Sequence, residues 1–190
     1  WQTSSHSAFR LSAEQQLLLR AAISRLLATY PLFGADAEHW PHVLLAPGCD
    51  EQSFACWAAA LTVALQRMAF DPVYQAEVIQ ETASGATVAL PWRREAVLKE
   101  AMTHALGLLM GWLQQPRWPD KERDRLVVIQ AWLERMQPGG VGPVSMRFAE
   151  AAMRRGMPVR VDQGCLTIGL QRDYSRYFGE YVQKDLLRRR

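Results

Sequence analysis

Apolar residues recur along this chain in blocks whose spacing switches between helical and alternating. Leu17, Leu18, Ala21, Ala22, Leu26 and Tyr30 form the first helical face. Ser12 stands ahead of them as a cap that can accept a bond from an orphan backbone N–H, and Pro31 ends the run. His42 to Ala46 reads as a short buried strand before the turn at Pro47-Gly48. Glu51 to Phe70 predicts a second helix with Phe54, Trp57, Ala58, Leu61, Leu65 and Met68 inward, closed by Asp71-Pro72. Val73 to Thr82 alternates, as does Ala86 to Leu90, and the small residues between them predict a hairpin. Pro91 sits near the start of a long helix to Leu113, with Val97, Leu98, Met102, Ala105, Leu106, Leu109 and Trp112 as its core stripe. After Pro116 and Pro119, Lys121 to Met136 reads as a further helix with Leu126, Ile129, Gln130 and Leu133 inward.

Val144 to Leu170 carries the densest set of signals. Ser145 follows a Gly- and Pro-rich loop and is placed to cap a helix whose apolar stripe is Phe148, Ala149, Ala152 and Met153, with Arg147, Glu150, Arg154 and Arg155 facing elsewhere. Gly156 can take the left-handed conformation that stops a helix, and Pro158 prevents resumption. Val159 and Val161 then alternate with Arg160 and Asp162, and Leu166, Ile168 and Leu170 with Thr167 and Gly169. Asp162-Gln163-Gly164 forms the connection, so this is a second hairpin. The whole reads as an α+β fold, mostly helical with short antiparallel strands and hairpins, and without internal repeats.

Composition narrows the function classes. With 49% hydrophobic and 22% charged residues in a chain of 190, a packed core is expected. The net charge of +3 sets 22 Lys and Arg against 19 Asp and Glu, too even a balance for a nucleic-acid binder. The longest apolar run, Ala105 to Leu113, is short of the roughly 20 residues of a membrane span. Cys49, Cys56 and Cys165 are odd in number and lack C-x-x-C spacing, which argues against a disulfide framework or a thiolate zinc site; the expected location is cytoplasmic. Glu38, His39 and His42 would make a poor metal cluster, because Pro41 breaks the helix that would align them. Gly139-Gly140-Val141-Gly142-Pro143 lacks the spacing of a phosphate loop, and Pro143 removes a donor N–H, so a structural linker is expected.

The run Gly142-Pro143-Val144-Ser145, the break Arg155-Gly156-Met157-Pro158-Val159, the segment Thr167-Ile168-Gly169-Leu170-Gln171 and Arg176 together resemble the lead-in to the ATP-grasp domain of cyanophycin synthetases and related amide ligases. Leu170 and Gln171 replace the Tyr and second Gly of the family pattern. The helix ending in Leu65-Gln66-Arg67-Met68-Ala69 is similar to one in the N-terminal domain of the same family. On that alignment the family's H-x-x-E-H falls on Cys56, Ala59 and Ala60, so metal-dependent hydrolysis is not expected. Residues 1–10, opening with a polar stretch that lacks periodicity, read as a disordered edge; the resemblance implies 11–143 as a mainly helical ligase-associated domain and 144–180 as the lead-in to an absent ATP-grasp module. ATP and Mg²⁺ are implied for that module and no cofactor or metal for this chain.

Arginine carries the positive hypothesis. Arg154, Arg155, Arg160, Arg172 and Arg176, with Tyr174 among them, lie close in sequence, and guanidinium groups pair bidentately with carboxylates. The expected function is a non-catalytic domain that holds an acidic or Asp/Arg-rich peptide or polymer and packs against a ligase domain or a copy of itself, with neither nucleic acid nor membrane as partner. The alternative is a small helical interaction or dimerisation module, with Trp112, Trp118 and Trp132 as interface candidates.

Overall fold

The computed structural model describes residues 10–29, 50, 52–82, 85–114, 119–162, 165–169 and 175–178. The expected strand at 42–46, the cluster at 38–42, the edge 1–9 and the 163–164 turn lie outside the described residues, as do Trp118, Arg172 and Tyr174. Arg10, at the end of that edge, is held: it forms a β-bridge with Ser53, and its guanidinium pairs with Asp50 at 2.9 Å.

Helix α1, Ala13–Ala28, starts as expected at Ser12, in a capping box. The Ser12 hydroxyl accepts the Gln15 N–H at 3.2 Å, while the Gln15 side chain accepts the Ser12 N–H at 2.8 Å. Its buried face is turned from the expected one: Leu19, Ala22, Ile23, Leu26 and Leu27 are inside, while Leu17 is 68% exposed. Apolar residues occupy so much of this helix's circumference that periodicity alone does not select a face, and packing against the neighbouring helices does.

Helix α2, Phe54–Met68, is the centre of the larger core and is buried around almost its whole circumference. It begins at the Ser53 cap rather than at Glu51: the Ser53 hydroxyl accepts the Cys56 N–H and donates to Glu81. Its end is a Schellman motif in which Phe70, not glycine, takes the left-handed conformation (φ 60°). The Phe70 N–H reaches Arg67 O and the Asp71 N–H reaches Gln66 O, each at 3.0 Å.

The first hairpin pairs β1, Glu77–Thr82, with β2, Gly85–Ala89, through a register shift between Val78 and Gln80. Val73 to Gln75 do not join β1. The Val73 carbonyl accepts Arg67 Nε at 2.9 Å, and the Tyr74 hydroxyl is bound by the C-terminal part of the chain. Helix α3, Glu95–Gln114, starts four residues after Pro91. Residues 91–94 serve the core instead, Pro91 O accepting Gln66 Nε2 and both arginines reaching Asp71. Val97, Ala101, Ala105, Leu108, Leu109 and Trp112 are buried, whereas Met102 and Leu106, expected inside, are exposed. Helix α4, Pro119–Met136, buries Ile129, Trp132 and Leu133, a face turned from the expected one, so Gln130 faces out and bonds Glu134.

Helix α5, Pro143–Arg154, starts two residues before Ser145. Pro143 takes the first helical position behind Gly142 (φ 84°), so Ser145 is buried inside the first turn and is not the cap. Its stop is as expected. Gly156 has φ 67°, and the N–H groups of Gly156 and Met157 bond Met153 O and Ala152 O, each at 3.0 Å. The expected hairpin follows, pairing β3, Val159–Asp162, with β4, Cys165–Ile168, Val159 opposite Ile168 and Val161 opposite Leu166. A third antiparallel strand, β5 at Ser175–Phe178, extends it to the order β3-β4-β5. The fold is therefore mostly helical α+β with two small antiparallel sheets. A second core of Val141, Met146, Ala149, Ala152, Leu166 and Ile168 fills the space between α5 and the three-stranded sheet.

Candidate binding surfaces

Three groupings of polar residues stand out, and the sequence pointed to one of them. The C-terminal arginines gather around the end of α5 and the sheet it leads into. Arg154 closes the helix and Arg155 is its C-cap, both exposed. Arg160 stands on β3 opposite Thr167, and Thr167 is in turn paired with Arg176 on β5, so the two arginines occupy matching positions on either side of one threonine. Arg160 pairs with Asp162 at 2.9 Å, both side chains being well exposed, and such a surface pair is weak enough to exchange partners.

The second grouping is buried and was missed. Arg67 and Glu150, 83 residues apart, meet at 3.1 Å with side chains only 2% and 4% exposed, joining α2 to α5. Burial pushes the Glu150 carboxyl up from its ordinary value against the pull of Arg67 and Arg154, and burial lowers Arg67 against the pull of Glu150. Glu150 was expected on an outer face, but its neighbours Met146, Ala149 and Ala152 are all core residues, and this was the available signal.

A few residues away, Asp71 has no exposed side-chain surface and accepts from Arg94 at 2.8 Å and Arg93 at 3.2 Å. Burial raises its carboxyl, against both arginines. Arg94 also donates to Ala69 O at 2.8 Å and Met136 O at 2.7 Å, and Gln137 donates to Met68 O at 3.0 Å, which satisfies carbonyls that the ends of α2 and α4 leave open. The chemistry of this network is structural. Cys56, Ala59 and Ala60, the positions aligned with H-x-x-E-H, lie in the same core at 2%, 2% and 0% exposure. Among the described residues no three His, Cys, Asp or Glu side chains are grouped to hold a metal ion.

The third grouping lines a cleft of about 270 Å³ between α3 and α4, walled by Thr103, His104, Gly107, Leu108, Asp124, Arg125, Val128 and Ile129. The His104 ring leans on Trp132 with centroids 5.1 Å apart, and burial lowers the His104 pKa, opposed by Glu100 and reinforced by Arg135. Trp132 and Trp112, expected at an interface, are instead core residues, each with an indole N–H that meets no acceptor among the described residues. What α3 exposes is a row of Met102, Leu106 and Met110, one turn apart. No helix of the described residues is long and apolar enough to cross a membrane. Comparisons with protein-family profiles, with curated proteins and with solved structures return no significant match for this chain.

Proposed function

We infer that this chain is a non-catalytic binding domain for acidic peptide or polymer, of the kind its resemblance to cyanophycin-synthetase-like amide ligases implies. The observation that carries the reading is the placement of Arg160 and Arg176 on either side of Thr167, with Arg154 and Arg155 at the end of the helix that feeds the sheet. Arginines on the two outer strands, roughly 10 Å apart across β4, suit carboxylates spaced along an extended Asp-rich chain. Bound so, the acceptor is kept at high effective concentration for a ligase module, and this domain needs no chemistry of its own. Titrating the protein with an oligo-aspartate peptide tests this. Binding should be saturable at low salt, weaken as salt is raised, and be lost in Arg155→Glu/Arg160→Glu. Absence of binding at low salt refutes it.

A second reading, a self-associating or partner-binding helical module, is favoured by the exposed row of Met102, Leu106 and Met110 on α3. Sedimentation across a concentration range separates the two, since this reading requires an associated species that Leu106→Glu abolishes.

A further inference from the structure

The cleft between α3 and α4 contains a cation with no bonded counter-group among the described residues. Arg125 is half-buried, and its guanidinium lies against the backbone of Gly111 so closely that any Cβ there would overlap it. Gly111 therefore makes the space in which this side chain rests. Arg125 forms no hydrogen bond or ion pair with another described residue, although Asp124, its chain neighbour, also lines the cleft. Elsewhere the buried Arg67 and the half-buried Arg94 are each tied to both a carboxylate and a backbone carbonyl.

Thr103, whose hydroxyl donates to Lys99 O, also lines the cleft, and the rest of the wall is apolar: Leu108, Val128, Ile129 and the bare face of Gly107. Their space, at about 270 Å³, equals roughly nine water volumes and so admits a compact body of about ten non-hydrogen atoms. Burial disfavours the charged form of His104, and Asp124 lines the cleft beside Arg125, so its wall carries one guanidinium and one carboxylate rather than a field that would gather polyanions. We propose that this cleft is a binding site for a small monocarboxylate with a compact apolar body, the carboxylate engaged by Arg125 and the body seated on Leu108, Val128 and Ile129. The arrangement follows the ordinary logic of small-molecule sites, a mostly apolar concavity with a few polar groups that fix orientation. It is separate from the arginines of the sheet.

Phenylacetate and hexanoate are suitable probes, titrated into the intact protein and followed by amide and His104 ring signals in NMR. Acetate, which has the charge without the body, and 2-phenylethanol, which has the body without the charge, are the controls. At least one probe should bind saturably and shift Leu108, Val128 and His104, with both controls roughly tenfold weaker or worse. Arg125→Met, which keeps the aliphatic stem, should weaken the probe roughly tenfold while leaving the fold unchanged by circular dichroism. If that variant does not fold, Val128→Glu, at an exposed position, serves instead. It supplies the guanidinium with a carboxylate of its own and should abolish binding. Failure of both probes to bind, equal binding by 2-phenylethanol, or undiminished binding in the variant overturns the proposal.

Discussion

Arg67→Met is the most informative single perturbation of this fold. The substitution removes two bonds at once, from Nη1 to Glu150 at 3.1 Å and from Nε to the Val73 carbonyl at 2.9 Å. One Glu150 oxygen has no partner among the described residues, so the change strands a whole carboxylate in the interior. Leaving one member of a buried ion pair uncompensated costs about 3–5 kcal/mol, against a total stability of roughly 5–15 kcal/mol for a domain. At about 2–4 °C per kcal/mol for a chain of this size, the melting temperature should fall by roughly 10 °C. Glu150→Leu alone should cost about 3 kcal/mol by stranding the guanidinium. The double variant Arg67→Met/Glu150→Leu should recover most of the loss, retaining only the ~1 kcal/mol expected of an unmet Val73 carbonyl. Urea unfolding of the four proteins, read by far-ultraviolet circular dichroism, measures the cycle. A double variant as unstable as the sum of the singles, or single variants within about 1 kcal/mol of the parent, would refute the view that two mutually dependent charges join α2 to α5.

Three further outcomes follow from the geometry. Gly140→Ala should cost about 2 kcal/mol or more in urea unfolding, because its Cβ would fall 2.5 Å from Phe70 Cβ and 2.7 Å from Ala69 O, neither able to swing aside; a neutral effect would contradict the packing described. Gly156→Ala meets open space, so only its φ of 67° penalises it, and the cost should be about 1 kcal/mol. His104 is lowered by burial, so the unfolded chain takes up its proton first on acidification. The stability this contributes is present above about pH 6.5 and is lost as pH falls from there toward the lowered folded value. His104→Phe should flatten the stability profile of the parent in that window, and identical slopes for the two proteins would remove the claim.

The elements were legible in the sequence wherever a local backbone rule decided them. The Ser12 cap, the Gly156 stop and the two hairpins needed only a side-chain acceptor, a missing Cβ and an alternation of period two. Faces were harder to read. Leu17, Met102 and Leu106 have the same spacing as their buried neighbours, and which apolar residue goes inside depends on helices that are remote in sequence. Periodicity places Gln130 inward, yet the buried face of its helix runs through Ile129, Trp132 and Leu133 and leaves Gln130 outside. Ser145 has the chemistry of a cap, but Gly142 and Pro143 start the helix earlier by fixing the backbone.

Of the sites, the sheet arginines were visible as a cluster in sequence, although their pairing across Thr167 depends on β5, which no alternation announced. Arg67, Asp71 and the Arg125 cleft were not visible. A charge hidden among alanines and leucines reads as solvated until its partner, many residues away, is placed beside it.

The left-handed Phe70 bears on how this polypeptide can be divided. Its carbonyl accepts the Val141 N–H at 3.0 Å, and its side chain packs on the smaller core, although its own helix belongs to the larger one. Cutting the gene near codon 142 to express either half would leave an aromatic ring and a guanidinium facing water on one product and a lone acid in the apolar floor of the other. Dissection by truncation should therefore give aggregation rather than two soluble halves, and exchange with related scaffolds has to carry both pieces together.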